Sequence, residues 1–334
     1  MKKTHYAVII AAMLAIALPF VSDNAFLMSV LFTAAFYALV STGWNVVGGF
    51  AGQLGIGNGL YVGLGLYFTL ALFDTCHISP WFGMVLAGLI TGTISLFLGF
   101  ATFPLTGSYY SLATIALLNI LRIIFNQNER MFGLFFGGAN GLRMTWIGGM
   151  AAMQFVAKSS YYFIILALLA VALLWSYYIS RSKWGYYLRA ISTNQDAASS
   201  LGVNVLRYKL QAQFVTAFVM AVGGGVYGVY MMYMDPSTIF SFQLSFMYMV
   251  VAIFGGRGTV FGPTIGAIIL MPGYELLRLN FGKRLPGLPM VLFGLLLMLC
   301  VQFMPNGIVD KVSQIARAGK EKRQLANRGA GDEE

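Results

Sequence analysis

Three side-chain amides, Asn45, Gln53 and Asn58, stand in an apolar run that carries no charged residue between positions 25 and 73. An amide facing hydrocarbon is costly unless it pairs with another helix or lines water, so these three are expected to face inward. The chemistry they offer is hydrogen bonding to a polar solute. Tyr109 and Thr114, in the stretch TGSYYSLATIALLNILRII, add hydroxyls of the same kind. Groups that make or break bonds are scarce. His5 and His77 are the only histidines, Cys76 and Cys300 lie far apart, and no paired carboxylates or nucleophile–base set converge in the polar loops. Neither a metal cluster nor a disulfide framework is indicated, and no catalytic residue is assigned.

The elements that position these amides follow from composition. Of 334 residues, 58% are hydrophobic and only 10% charged, far from the balance of soluble domains. Apolar blocks long enough to cross about 30 Å of hydrocarbon as helices recur along the chain, without the period-2 alternation of barrel strands. The expected fold is all-α, a polytopic transmembrane helical bundle of about ten spans, with eight to ten as the range. The spans are expected near 6–21, 25–42, 53–73, 81–103, 108–125, 161–179, 210–234, 242–254, 259–279 and 288–304. The start resembles a secretory signal peptide with a poor cleavage site, and is read as an uncleaved first span.

The net charge of +10 reflects loops and tail rather than a nucleic-acid surface. With both termini cytoplasmic, 14 of the 21 Lys and Arg fall on the inner side, in keeping with the positive-inside rule. The transmembrane domain then covers 1–309, with an external loop at 126–160 and a cytoplasmic loop at 181–209. Residues 310–334 form a basic, polar cytoplasmic tail.

WNVVGGFAGQLGIGNGLYVGLGLY, which holds the three amides, is also rich in glycine. Gly48, Gly52, Gly55, Gly59 and Gly63 are spaced by four, three, four and four. On a helix that spacing keeps them within about 80° of one face, a small-residue ridge for close helix packing. The uncharged run is too long for one crossing and nearly too short for two joined by a normal loop, so the chain must turn or break within the membrane boundary. Irregular backbone at that depth belongs where it is buried in protein or lines a path.

No source of energy is visible. The acidic residues map to loops or helix ends, except Glu275, which a snorkelling or Arg278-paired role accounts for. A G-x-x-x-x-G-K-[ST] phosphate loop is absent. A pore without its own engine either conducts passively or borrows work, and the segment SRSKWGYYLRAISTNQDAASSLGVNVLRYKL offers a docking surface for the second. Thr193 followed by Asp196 resembles a capping-box start and Gly202 suits a helix end. Leu188, Ile191, Ala198 and Leu201 give that segment an apolar face, while Ala197 and Ser199 permit close approach.

Together these segments resemble the permease subunits of the branched-chain amino-acid ABC importer family, in particular the subunit with the long cytoplasmic loop. WNVVGGFAGQLGIG is similar to the family's N-x-x-x-G-x-x-G-Q-x-S-x-G signature, and SYYSLATIALLNILRII to its L-A-T-L-A-x-x-E-I-x-R stretch. GGANGL resembles T-G-G-x-x-G-L, and GYYLRAISTNQDAASSLGVNVLRYK resembles G-R-x-x-x-A-I-R-E-N-E-x-A-A-x-x-x-G-I-N-x-x-x-x-K. IFGGRGTVFGPTIGA and PNGI follow in the family's order. Gly55 stands where the family usually has serine, Asn58 where histidine is frequent and Gly59 where alanine is common. Ser192 and Thr193 replace an Arg-Glu pair, and Gln195 and Asn119 each replace a glutamate.

The resemblance implies a multi-pass permease of the bacterial inner membrane that imports branched-chain or related amino acids by alternating access, with hydrolysis carried by partners. It further implies a second, non-identical permease, two cytoplasmic ABC ATPases, and a periplasmic or lipid-tethered substrate-binding protein. No cofactor and no nucleic acid are involved. Arg189, Asn194, Asp196, Ala198 and Gly202 are expected to dock the ATPase, and Asn45, Gln53, Asn58, Tyr109 and Thr114 to line the path. An amino-acid zwitterion needs polar amides or helix ends for its charges and apolar surface for its side chain. The alternatives are a urea or short-amide permease of the same family, a self-sufficient channel or ion-coupled carrier, and a membrane enzyme.

Overall fold

The computed structural model describes residues 24–281 and 307–311, with scattered positions 19, 287, 288, 291, 292, 294, 295, 298 and 302. The expected spans at 6–21 and, for the most part, 288–304 lie outside the described residues, as does the tail beyond Lys311. The long helices are α1 (Ala25–Asn45), α2 (Leu60–Cys76), α3 (Pro80–Thr102), α4 (Ser108–Gln127) and α5 (Lys158–Arg181). After α6 (Lys183–Thr193) and α7 (Gln195–Ser200) come α8 (Val205–Met231), the short α9 (Pro236–Ile239), α10 (Phe242–Gly256) and α11 (Gly262–Phe281).

Local chemistry sets several of these ends. Asn24 Oδ1 accepts from Phe26 N at 2.9 Å to open α1, and Asp235 Oδ1 caps Thr238 N at 2.9 Å to open α9, each satisfying a donor that the helix start leaves free. Proline at the first position of α3 and α9 has no such donor to lose.

Among the described residues, seven helical stretches are long and apolar enough to cross a membrane: Ala25–Phe50, Gly57–Cys76, Pro80–Thr102, Ser108–Gln127, Lys158–Arg181, Val205–Met231 and Pro236–Gly256. The molecule is therefore a polytopic helical bundle. Several boundaries move from expectation, among them the starts of the last two stretches, at Val205 instead of 210 and Pro236 instead of 242. The first of these stretches runs on to Phe50, and the second begins at Gly57 instead of 53. The stretch expected at 259–279 is helical as α11 but is not among the seven. It contains Pro272, Glu275 and Arg278, and the last two pair at 3.3 Å.

The helices run between two distinct ends. At one, α6 and α7 form a hook between α5 and α8. At the other, β1 (Arg130–Met131) pairs antiparallel with β2 (Leu134–Phe135), and β3 (Leu142–Arg143) pairs with β4 (Tyr233–Met234) just after α8. These two-residue strands are the departure from an all-α chain. An aromatic cluster ties them to the bundle: Tyr67 Oη donates to the Met234 carbonyl at 3.0 Å, and its ring stacks on Phe240 at 5.9 Å.

The central helix is α8, which packs along α2 and α3 and also against α1. Backbones meet closely there because a Cβ at Gly65 would overlap the Ala221 backbone, and one at Gly224 would overlap the Val62 carbonyl. Small residues that let backbones touch are the main adhesive between helices in lipid.

Candidate functional site

Between α1 and α2 the helix breaks. One π turn, Val46–Phe50, follows α1, and the chain regains helical form only in the 3-10 turn Gly57–Gly59. The released backbone groups find partners on other helices. Thr216 Oγ1 in α8 donates to the Gly43 carbonyl at 2.9 Å and accepts from Val47 N at 3.2 Å. The Trp44 indole N–H donates to the Gly55 carbonyl at 2.8 Å. Such satisfaction by neighbouring side chains is what makes an irregular segment tolerable inside a membrane protein.

The break falls where the long uncharged run required it, but it dissolves the expected glycine ridge. A π turn and a non-helical stretch shift the angular phase, so the five glycines face different neighbours. A Cβ at Gly48 would overlap the Trp44 indole, one at Gly52 would lie 2.8 Å from Ser192 Cβ, and one at Gly55 would lie 2.5 Å from Asn58 Oδ1. At Gly59 it would lie 2.7 Å from Ser245 Oγ, and at Gly63 it would meet the Phe240 ring. Each glycine permits its own close contact, and no single face unites them.

Where α2 begins, two hydroxyls from distant segments cap it. Gly57 N donates to Thr114 Oγ1 of α4 at 3.1 Å, and Gly59 N donates to Ser245 Oγ of α10 at 2.8 Å. Ser245 Oγ in turn donates to the Ile56 carbonyl at 2.5 Å, and Thr114 Oγ1 to the Ser111 carbonyl at 2.8 Å. Between them sits Asn58, 1% exposed, whose Oδ1 and Nδ2 have no hydrogen-bond partner. At the second residue of α2, Tyr61 Oη accepts from Gln213 Nε2, and Tyr110 Oη donates to Gln213 Oε1 at 3.5 Å. A polar belt of amides and hydroxyls thus crosses the bundle interior.

Of the five residues expected to line a path, only Asn58 and Thr114 meet in this belt. Asn45 is fully buried and spent on the turn between α10 and α11: its Nδ2 donates to the Thr259 carbonyl at 2.9 Å and its Oδ1 accepts from Gly258 N at 2.8 Å. Gln53 is half-buried in a cleft of about 250 Å³ at the hook end. Tyr109 is 72% exposed on the outer surface of α4, while its neighbour Tyr110 joins the belt.

The cleft beside Gln53 joins the break to the hook, because its walls are Ala51–Gln53, Thr106–Gly107 and Ile191–Asp196. The helix expected near Thr193 is real but opens one residue later. Asn194 Oδ1 accepts from Asp196 N and Ala197 N, both at 3.0 Å, whereas Thr193 Oγ1 donates back to Arg189. Gly202, with φ +85°, ends it. Arg189, Asn194, Asp196 and Gly202 are exposed, but Ala198 is 3% exposed and packs inward, so it cannot meet a docking protein. Leu201, expected on the same apolar face, is instead 86% exposed. Lys209, almost fully buried at the start of α8, donates to Gln195 Oε1 at 2.5 Å.

Comparison with known proteins places the chain in a family. The family described as the branched-chain amino acid transport system permease component matches residues 26–301. The chain belongs to that family. The permease is 26% identical to the high-affinity branched-chain amino acid transport system permease protein LivM of Salmonella typhimurium, over 82% of this chain and 67% of the relative. The Escherichia coli protein of the same description is 25% identical over 89% and 72%. A shorter match, 29% identical over 42% of this chain and 39% of the relative, is to the fructose import permease protein FrcC of Rhizobium meliloti. No solved structure matches the chain.

Four groups of the permease's belt and hook escape a reading of motifs alone. Gln213 carried a signal, since an amide inside the span expected at 210–234 has the same need for a partner as Asn45. Ser245 and Thr216 carried none, because hydroxyls in spans commonly bond to their own helix. Leu201 was visible as apolar, but its outward direction was not.

Proposed function

We propose that this permease subunit works in an importer of the bacterial inner membrane that carries branched-chain or related amino acids and is driven by partner ATPases. The hook end faces the cytoplasm, both termini lie there, and the bundle is completed by further spans to about ten. The second permease, the two ATPases and the binding protein are those expected from the family. The urea or short-amide reading stays as the alternative within it.

One contact carries the mechanism. Gly52, in the break, lies against Ser192, in the hook. A force applied to the hook therefore reaches the irregular backbone directly, without passing along a helix. Alternating access follows if the ATPases displace the hook and the break re-forms around the solute, with Asn58 and Thr114 on its route. Arg189, Asn194, Asp196 and Gly202 are the docking residues, with the exposed Leu201 beside them adding apolar surface.

The test is reconstitution of the complete importer in proteoliposomes. ATP-dependent leucine uptake is expected in the wild type, and Leu201→Asp or Asp196→Lys should lower uptake and substrate-stimulated ATPase activity with insertion unchanged. Uphill uptake by this chain without any ATPase would refute the proposal.

A further inference from the structure

We propose that the 3-10 turn leading into α2, Gly57–Asn58–Gly59, is a cradle for the carboxylate of the transported amino acid, held shut here by the hydroxyls of Thr114 and Ser245. The inference rests on the permease reading and names the solute group that the belt recognises.

The amino terminus of a helix presents backbone N–H groups and partial positive charge, and binds anions readily. Here the 17-residue α2 points that end into the bundle interior. Two donors of the 3-10 turn that leads into it, Gly57 N and Gly59 N, are held by neutral hydroxyls from α4 and α10, where an anionic oxygen would be bound more strongly.

Asn58 supplies the second observation. Its amide is buried, has a donor and an acceptor to offer, and uses neither. It lies back over Gly55 at the lip of the break, where any side chain at 55 would collide with it. Buried amides without partners are rare in native proteins and call for an explanation. A ligand oxygen arriving beside Gly57 N and Gly59 N gives the Nδ2 group an acceptor.

Charge points the same way. Among the described residues, the acidic side chains lie toward the two ends of the bundle, as with Asp74, Glu129, Asp196, Asp235 and Glu275. A carboxylate entering the belt would meet no like charge. Thr114 and Ser245 belong to separate helices, so a shift of either α4 or α10 relative to α2 removes a cap and frees a donor. Gly57 and Gly59 allow both helices to approach: a Cβ at 57 would overlap the Thr114 carbonyl. Neutral urea or an amide gains nothing comparable from a helix amino terminus. The cradle therefore favours amino acids over those solutes.

Two measurements on the complete reconstituted importer test this. In Asn58→Asp, a fixed negative charge beside the cradle should slow leucine uptake by about tenfold or more, and by more than the neutral Asn58→Ser does. In a Cys76→Ser, Cys300→Ser background, Asn58→Cys should react with N-ethylmaleimide slowly without ATP and at least about tenfold faster during turnover, because a buried thiol becomes accessible.

Wild-type uptake in Asn58→Asp, or a thiol equally unreactive in turnover, would overturn the cradle. The labelling arm keeps its force if the aspartate variant fails to insert. A wild-type importer that carries urea or isobutyramide but no amino acid would also overturn the cradle while sparing the ATP-driven permease. A complex with no ATP-dependent uptake of any solute would instead remove the reading beneath it.

Discussion

Thr216→Val isolates the force that holds the helix break. The substitution keeps the side chain's shape, so no cavity forms, and it removes one hydroxyl. That hydroxyl serves the π turn and the end of α1, accepting from Val47 N and donating to the Gly43 carbonyl. The carbonyl keeps a second partner, because Val46 N also donates to it. Val47 N loses its acceptor on α8. An unsatisfied buried donor costs about 1–3 kcal/mol, whereas hydrogen bonds measured between membrane helices average about 0.6 and reach about 1.7 kcal/mol. The expected loss is therefore about 1–2 kcal/mol.

Thr102→Val is the control. Its hydroxyl bonds only to the Leu98 carbonyl of its own helix, at 2.9 Å, and its loss should cost less than about 0.5 kcal/mol. Reversible unfolding in mixed micelles titrated with sodium dodecyl sulfate measures both. Hydrogen exchange across residues 44–52 should accelerate in Thr216→Val alone. If Thr216→Val stays within about 0.3 kcal/mol of wild type, or if the control loses as much, then α8 does not hold the break.

Two further outcomes follow from the hook. Gly52→Ala must adopt φ near +72° with its Cβ 2.8 Å from Ser192 Cβ; left-handed backbone alone costs about 1–2 kcal/mol, so uptake should fall severalfold at unchanged membrane content, and normal uptake would exclude this contact from the coupling route. Gln195→Leu removes an acceptor of the buried Lys209 ammonium and should destabilise by about 1.5–3 kcal/mol, with Lys209→Met in the same chain restoring most of it; a double variant no more stable than Gln195→Leu would show that the pair is not coupled.

Much of this protein is legible without coordinates. The apolar excess required helices in lipid, and an uncharged run of the wrong length required a break after α1. Glu275 pairs with Arg278 as their spacing on a helix predicts, and Gly202 ends the helix of the hook as its left-handed freedom allows. These features are local, or are set by composition, and the bilayer enforces them because it offers no water to satisfy a stray backbone group.

The same requirement states that the break must be satisfied without naming what satisfies it. Thr216 reaches Val47 across 169 residues and Ser245 reaches Gly59 across 186; only the crossing of α1, α2 and α10 with their neighbours brings them together. Periodicity failed at the glycines because it assumes one continuous helix, and a π turn followed by irregular chain resets the phase. It failed again at Ala198 and Leu201, adjacent in the hook's apolar pattern yet turned inward and outward. A hydroxyl, an amide or a leucine carries its chemistry in the sequence. Its partner is decided by which helices pack beside it, since a hydrogen bond or a contact forms only at the distances that packing sets.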